Sequence, residues 1–161
     1  MRFQLVDRIT AFTPGVKLSA IKRLTLGEEY LADHFPSFPV MPGVLMLETL
    51  VQAAAWLIRL TEEFTPTIVT LREVKGVKYG TFMPPGQTMS LSVEVQGSYN
   101  RELNTVSFKG TGEQGGQSVV NARFVLTKYR LSATKPALVE VDEQLTRHYR
   151  QQAALLMPLA A

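Results

Sequence analysis

Residues 34–52 read HFPSFPVMPGVLMLETLVQ. His34 opens the stretch, Pro42-Gly43 stands near its middle, and Glu48 and Gln52 follow in a run that is otherwise apolar. An imidazole, with an ordinary pKa of roughly 6.5, suits a general base. Pro36 and Pro39 fix φ around it and stiffen the segment that carries the ring. Proline suits the first turn of a helix, where its missing N–H leaves nothing unpaired, and a glycine after it lets another group approach the backbone. The first N–H groups of a helix lack intrahelical acceptors and lie at the positive end of its dipole. The Gly43 N–H is therefore a donor for a carbonyl oxygen that gains negative charge. Desolvation favours the neutral form of a carboxyl group, so an acid inside the apolar run can give up a proton. Gln52, one turn beyond Glu48, can hold it by a hydrogen bond. A base, an acid and an oxyanion donor are together what removal of water from a 3-hydroxyacyl thioester requires. That reaction needs neither a metal nor an organic cofactor. Taken singly, the residues have plainer readings: His34 as a hydrogen-bonding loop residue, Glu48 as a partly exposed acid solvating one edge of a helix. His148 falls on an exposed helical stripe and is assigned no role.

Such a set needs rigid elements to hold it. Residues 43–60 predict a helix by their length and their lack of strand-like alternation, and TEEFTPT ends it. Residues 17–25 predict a strand after the turn FTPG, and 26–42 are irregular. Beyond Thr65 the pattern changes to strands over 67–75, 88–97, 102–111 and 117–130. Met89, Leu91, Val93 and Val95 alternate with Ser90, Ser92, Glu94 and Gln96; Val120, Ala122, Phe124 and Leu126 alternate with polar neighbours. SYNRE and EQGGQ have hairpin-turn chemistry, and MPPGQ is a loop. Short turns between alternating strands imply an antiparallel sheet with one wet face, whose dry face the apolar helix covers. The fold class is α+β, a curved antiparallel sheet around one central helix. From Ser132 the chain turns polar. A helix over about 140–156 places Leu145, Tyr149, Ala153 and Leu156 on one stripe, expected to pack outside the sheet or on a partner chain. The organisation is a main domain at 1–131 and an extension at 132–161, helical and not a separate domain.

Composition excludes several classes. The chain has 161 residues, enough for one unstapled core, and no cysteine, so no disulfide, thiolate nucleophile or cysteine-ligated zinc. That suits a reducing, cytoplasmic setting. MRFQLVDRITAF has no signal core because Asp7 and Arg8 interrupt it. Glu48, Gln52 and Arg59 make the long apolar stretch a poor membrane span. The net charge of +3 comes without a Lys/Arg run interleaved with aromatics, so nothing points to nucleic acid.

HFPSFPVMPGVLMLETLVQAAAW strongly resembles the signature of the (3R)-hydroxyacyl-ACP dehydratases of fatty acid synthesis, which have the hot-dog fold. Upstream, FQLVDRITAFTPGVKLSAIKRLTLGEEYLADHF resembles the opening of the same family, and the likeness runs over residues 3–130. The resemblance implies His34 as catalytic base, Glu48 as the acid acting on the leaving hydroxyl, the Gly43 N–H as carbonyl donor and Gln52 as the group orienting Glu48. It implies a substrate-binding surface from Phe35, Pro39, Val40, Met41, Pro42, Tyr79 and Phe82. It also implies a homodimer whose sites each take the histidine and the acid from different subunits, with the acyl chain in an interface tunnel and trimers of dimers a further step. Glutamate at position 48 points to the branch that dehydrates without isomerising. The sequence departs from the family at Ser37, at Gly80 and Thr81 where a basic pair is usual, and at Gln87 where an acid is usual. Arg72, Lys75 and Lys78 lie nearby and can substitute in docking an acyl carrier protein; acyl-CoA is the other carrier. Two further readings are a hot-dog thioesterase, which would release free thiol, and a noncatalytic acyl-binding subunit.

Overall fold

Inward residues of the sheet follow the two-residue period. Met89, Leu91 and Val93 are buried while Thr88 and Ser90 face out, and Val120, Ala122, Phe124 and Leu126 are buried on the last strand. The computed structural model describes residues 3–157. Within them, six antiparallel strands form one sheet: β1 (Arg8–Thr13), β2 (Lys17–Arg23), β3 (Ile68–Tyr79), β4 (Thr88–Val95), β5 (Thr105–Gln114) and β6 (Gln117–Tyr129). Their order across the sheet is β1-β2-β4-β5-β6-β3, which leaves β1 and β3 as edges. Helix α1 (Gly43–Thr61) lies on the inner face and buries Met46, Leu50, Ala53, Ala54, Leu57 and Ile58. By length and composition α1 could cross a membrane, but here its apolar face is filled by the sheet. Gly110 of β5 makes the close approach possible, since a Cβ there would lie 3.1 Å from Leu50 Cδ1.

The strand boundaries differ from the sequence reading in physical ways. β1 was not anticipated, because a register irregularity between Ile9 and Ala11 breaks its alternation. β3 runs on to Tyr79, past two further irregularities at Leu71/Glu73 and Val74/Gly76. β5 begins at Thr105 rather than 102, after the turn at 101–104. Gly80, where the family resemblance leads one to expect a basic residue, has a steric reason: a Cβ there would fall 2.0 Å from the Ser118 carbonyl oxygen. The backbone of Gly80 and Thr81 instead donates to the carbonyls of Val119 and Ser118.

The C-terminal extension forms a short helix α2 (Leu131–Thr134) and a long helix α3 (Val139–Leu156); residues 158–161 of it lie outside the described residues. Helix α3 brings Tyr149 edge-on to Trp56 of α1 at 6.1 Å between ring centroids, and Ala153 on the same stripe is buried. Trp56 and Arg59 of α1 are both buried, and Tyr149 packs against each. His148 is exposed, as its stripe predicts. Asp142 on α3 is fully buried and ties the extension back to the sheet. It accepts hydrogen bonds from the Thr67 hydroxyl, from the Leu131 N–H at 3.0 Å and from the Ser132 N–H at 2.8 Å.

Candidate active site

The loop from His34 to Val40 closes on itself. Val40 N–H donates to the His34 carbonyl at 3.1 Å, and Phe35 and Phe38 exchange backbone hydrogen bonds across the Pro36 turn. The imidazole Nδ1 lies 3.0 Å from the Val40 carbonyl oxygen. A carbonyl only accepts, so Nδ1 carries the proton in this contact and Nε2 is left with its lone pair. That is the tautomer a base requires. The ring stacks on Phe35 with centroids 4.1 Å apart, and Phe38 meets Phe82 edge-on at 5.8 Å. Phe35, Phe38, Tyr79 and Phe82 are all exposed large apolar side chains. Val40, Met41 and Met83 are buried, and Met41 N–H donates to the Met83 carbonyl at 2.9 Å, which ties the loop after β3 to the approach to α1. Pro39 and Pro42 are half-buried between these parts.

Pro42 is the N-cap of α1 and Gly43 its first residue. The carbonyl of Pro42 accepts from Leu45 and Met46, while no described backbone acceptor takes the Gly43 N–H. The Tyr79 ring rests against Gly43: a Cβ there would meet Tyr79 Cε1 at 3.1 Å. Glycine therefore lets an aromatic side chain lie across the helix start.

Glu48 is half-buried in the single chain rather than fully sunken. Its Oε1 accepts from Gln52 Nε2 at 3.0 Å. Gln52 is itself fixed by the N-terminal segment: its Oε1 accepts from the Leu5 N–H at 2.9 Å, and its Nε2 also donates to the Phe3 carbonyl at 3.2 Å. This clamp could not be foreseen from side-chain types, because its fixed partners are backbone atoms. A cavity of about 240 Å³ opens beside Glu48 and Gln52 and continues to Arg59 beneath α3. His34 does not line it. The structure thus joins Glu48 to Gln52, and His34 to the loop around it, without bringing the two halves into one cavity.

Lys75 and Lys78 lie on the outer side of β3 and line a groove of about 570 Å³ with Lys109 and Arg123. Arg72 is on the same strand but does not line the groove. Lys109 and Arg123 face each other across β5 and β6. In the sequence Arg59 stands only as a charge interrupting the apolar run.

A curved antiparallel sheet packed on one central helix is the hot-dog architecture. Among solved structures, the chain resembles the dehydratase heterocomplex ApeI:P from Xenorhabdus doucetiae, with a TM-score of 0.64 over 84% of this chain and 89% of that one. At 13% identity that likeness concerns the fold alone. The model of the FabA-like domain matches residues 1–123, and the chain belongs to that family. It is 40% identical over 130 residues to the 3-hydroxyacyl-[acyl-carrier-protein] dehydratase FabZ of Anaeromyxobacter sp. (strain Fw109-5), covering 76% of this chain and 78% of the relative. The FabZ of Janthinobacterium sp. (strain Marseille) is 34% identical, with 83% of this chain and 85% of that one covered.

Proposed function

We propose that this protein dehydrates (3R)-3-hydroxyacyl thioesters carried on acyl carrier protein, giving trans-2-enoyl thioesters in fatty acid or related lipid synthesis. The observation that carries the reading is the Leu5–Gln52–Glu48 chain of hydrogen bonds, which holds one carboxyl oxygen in place within a turn and a half of a helix start carrying an N–H without an acceptor. In the proposed reaction His34 Nε2 takes the C2 proton. The thioester oxygen, gaining negative charge, accepts from the Gly43 N–H. Glu48 protonates the C3 hydroxyl, the C3–O bond breaks, and water leaves. Proton return from His34 to Glu48 through solvent completes the cycle. Phe35, Pro39, Val40, Met41, Pro42, Tyr79 and Phe82 surround the thioester end.

The same reading makes the working unit a homodimer, with trimers of dimers a further level of assembly. Support comes from β3, an edge strand with exposed Leu71 and Val74; pairing two such edges would remove an unpaired row of backbone groups. A second chain would also supply the histidine that the Glu48 cavity lacks. The protein acts in the cytoplasm on this reading.

Its test is direct. Purified protein incubated with 3-hydroxybutyryl pantetheine thioester should develop enoyl absorbance; free thiol without enoyl product would indicate thioester hydrolysis, and neither product a binding subunit. Carrier docking is tested separately. The Lys75, Lys78, Lys109 and Arg123 groove suits an acidic protein, with Arg72 an outlying contributor. Lys75→Glu combined with Lys109→Glu is expected to raise KM about tenfold for carrier-linked substrate and to leave KM for the pantetheine thioester unchanged. Equal effects on both substrates would remove the groove from docking.

A further inference from the structure

Arg59 is 7% exposed, and its Nε has no hydrogen-bond partner among the described residues. A buried guanidinium is normally paired, because desolvating an uncompensated charge is expensive. Among the described residues no carboxylate bridges it. What surrounds it is aromatic: its Cζ lies 3.9 Å from the Tyr149 ring centroid and 5.6 Å from that of Trp56. Cation–π contact and the Tyr149 hydroxyl stabilise the charge in part, but neither is a counter-charge. Burial lowers the pKa of the group, with Tyr149 acting in the opposite sense.

The position of this cation is informative. Arg59 follows Glu48 by eleven residues, so with Gln52 and Ala55 it falls on one stripe of α1. The separation along the axis is about 16 Å. All four residues line the single cavity roofed by Tyr149 and Leu156 of α3. A chain with its C3 at Glu48 and lying in this cavity would run along α1, over Ala55, toward a guanidinium that no carboxylate bridges among the described residues.

On the dehydratase reading above, we infer that the preferred substrate is a medium-chain 3-hydroxyacyl thioester whose distal end bears a carboxylate, received by Arg59 between Trp56 and Tyr149. The C-terminal extension is then a specificity element, since α3 closes the end of the cavity and brings Tyr149 onto Arg59.

The test compares 3-hydroxydodecanedioyl and 3-hydroxydodecanoyl pantetheine thioesters, equal in length and differing at the terminus. In the full-length wild-type protein, kcat/KM should favour the carboxylate-ended chain by about tenfold or more, the usual range for a hydrogen bond to a charged group. Arg59→Leu should bring that ratio to about one or below, and Arg59→Lys should recover part of it. Because the ratio is taken within each variant, a general loss of folded protein cancels. A wild-type ratio of one, or a ratio that survives Arg59→Leu, overturns the inference while leaving dehydration standing. Should neither chain give enoyl product, the dehydratase reading itself fails. Calorimetric titration with dodecanedioyl pantetheine thioester then decides the terminus alone: binding lost in Arg59→Leu keeps the anion site, and equal or absent binding removes it.

Discussion

Mixing His34→Ala protein with Glu48→Gln protein is expected to restore dehydration that neither preparation shows alone. Each variant by itself should lose about a thousandfold in kcat, within the range of one positioned acid or base. The substitutions are mild structurally. Among the described residues the His34 ring bonds only the carbonyl of Val40, and it stacks on an exposed Phe35. Glutamine at position 48 still offers an oxygen to Gln52 Nε2, which now bonds Oε1 of the acid at 3.0 Å. If each site draws its histidine from one chain and its acid from the other, a mixed dimer has one intact site and one doubly defective site. With free subunit exchange half the dimers are mixed, and about a quarter of wild-type activity returns. The structural motive is that His34 does not line the cavity beside Glu48. Enoyl absorbance after equilibrating the two proteins reads the outcome. No recovery, in a mixture shown to exchange subunits, would mean that base and acid act within one chain.

How much of this was legible beforehand depends on the kind of contact. The alternation of β4 and β6 could be read because burial on one face imposes a period of 2 on residue type, and α1 because its apolar run is too long and too free of alternation for a strand. The pair Glu48 and Gln52 could be read because i and i+4 face each other on any helix. Contacts made by backbone atoms leave no such trace, and the Leu5 N–H that fixes Gln52 is one of them. Long-range register hides others: Lys109 and Arg123 join Lys75 and Lys78 only because β5, β6 and β3 are neighbours in the sheet. The stripe of Leu145, Tyr149, Ala153 and Leu156 revealed that α3 packs, but an amphipathic helix does not name its partner. Arg59 stands out as a charge in an apolar run, but nothing in residue type shows that Tyr149 of α3 would meet it.

Asp142→Ala is expected to destabilise the protein by about 3 kcal/mol, through loss of several hydrogen bonds to a buried charge. Asp142 has 0% of its surface exposed, and it joins β3's approach at Thr67 to the start of α2 at Leu131 and Ser132. Burial pushes its carboxyl pKa up, but hydrogen bonds from Ser132, Thr67 and Leu131 outweigh burial and hold it well below the usual carboxylate range. Arg130 Nε adds charge at 3.6 Å. The sign for pH follows from that depression. The unfolded chain binds a proton at about pH 4 while the folded chain does not, so the Asp142 contribution is complete above that pH and declines as pH falls through it toward the folded value. Denaturant titrations of wild type and variant should therefore differ most near neutral pH, and the gap should narrow by about pH 2.5. A gap that stays constant between the two pH values would show that the carboxylate charge is not what holds the extension. The variant also bears on α3 as a whole: Asp142 lies two turns before Tyr149, so the clasp that fixes the start of the helix also sets the ring that covers Arg59.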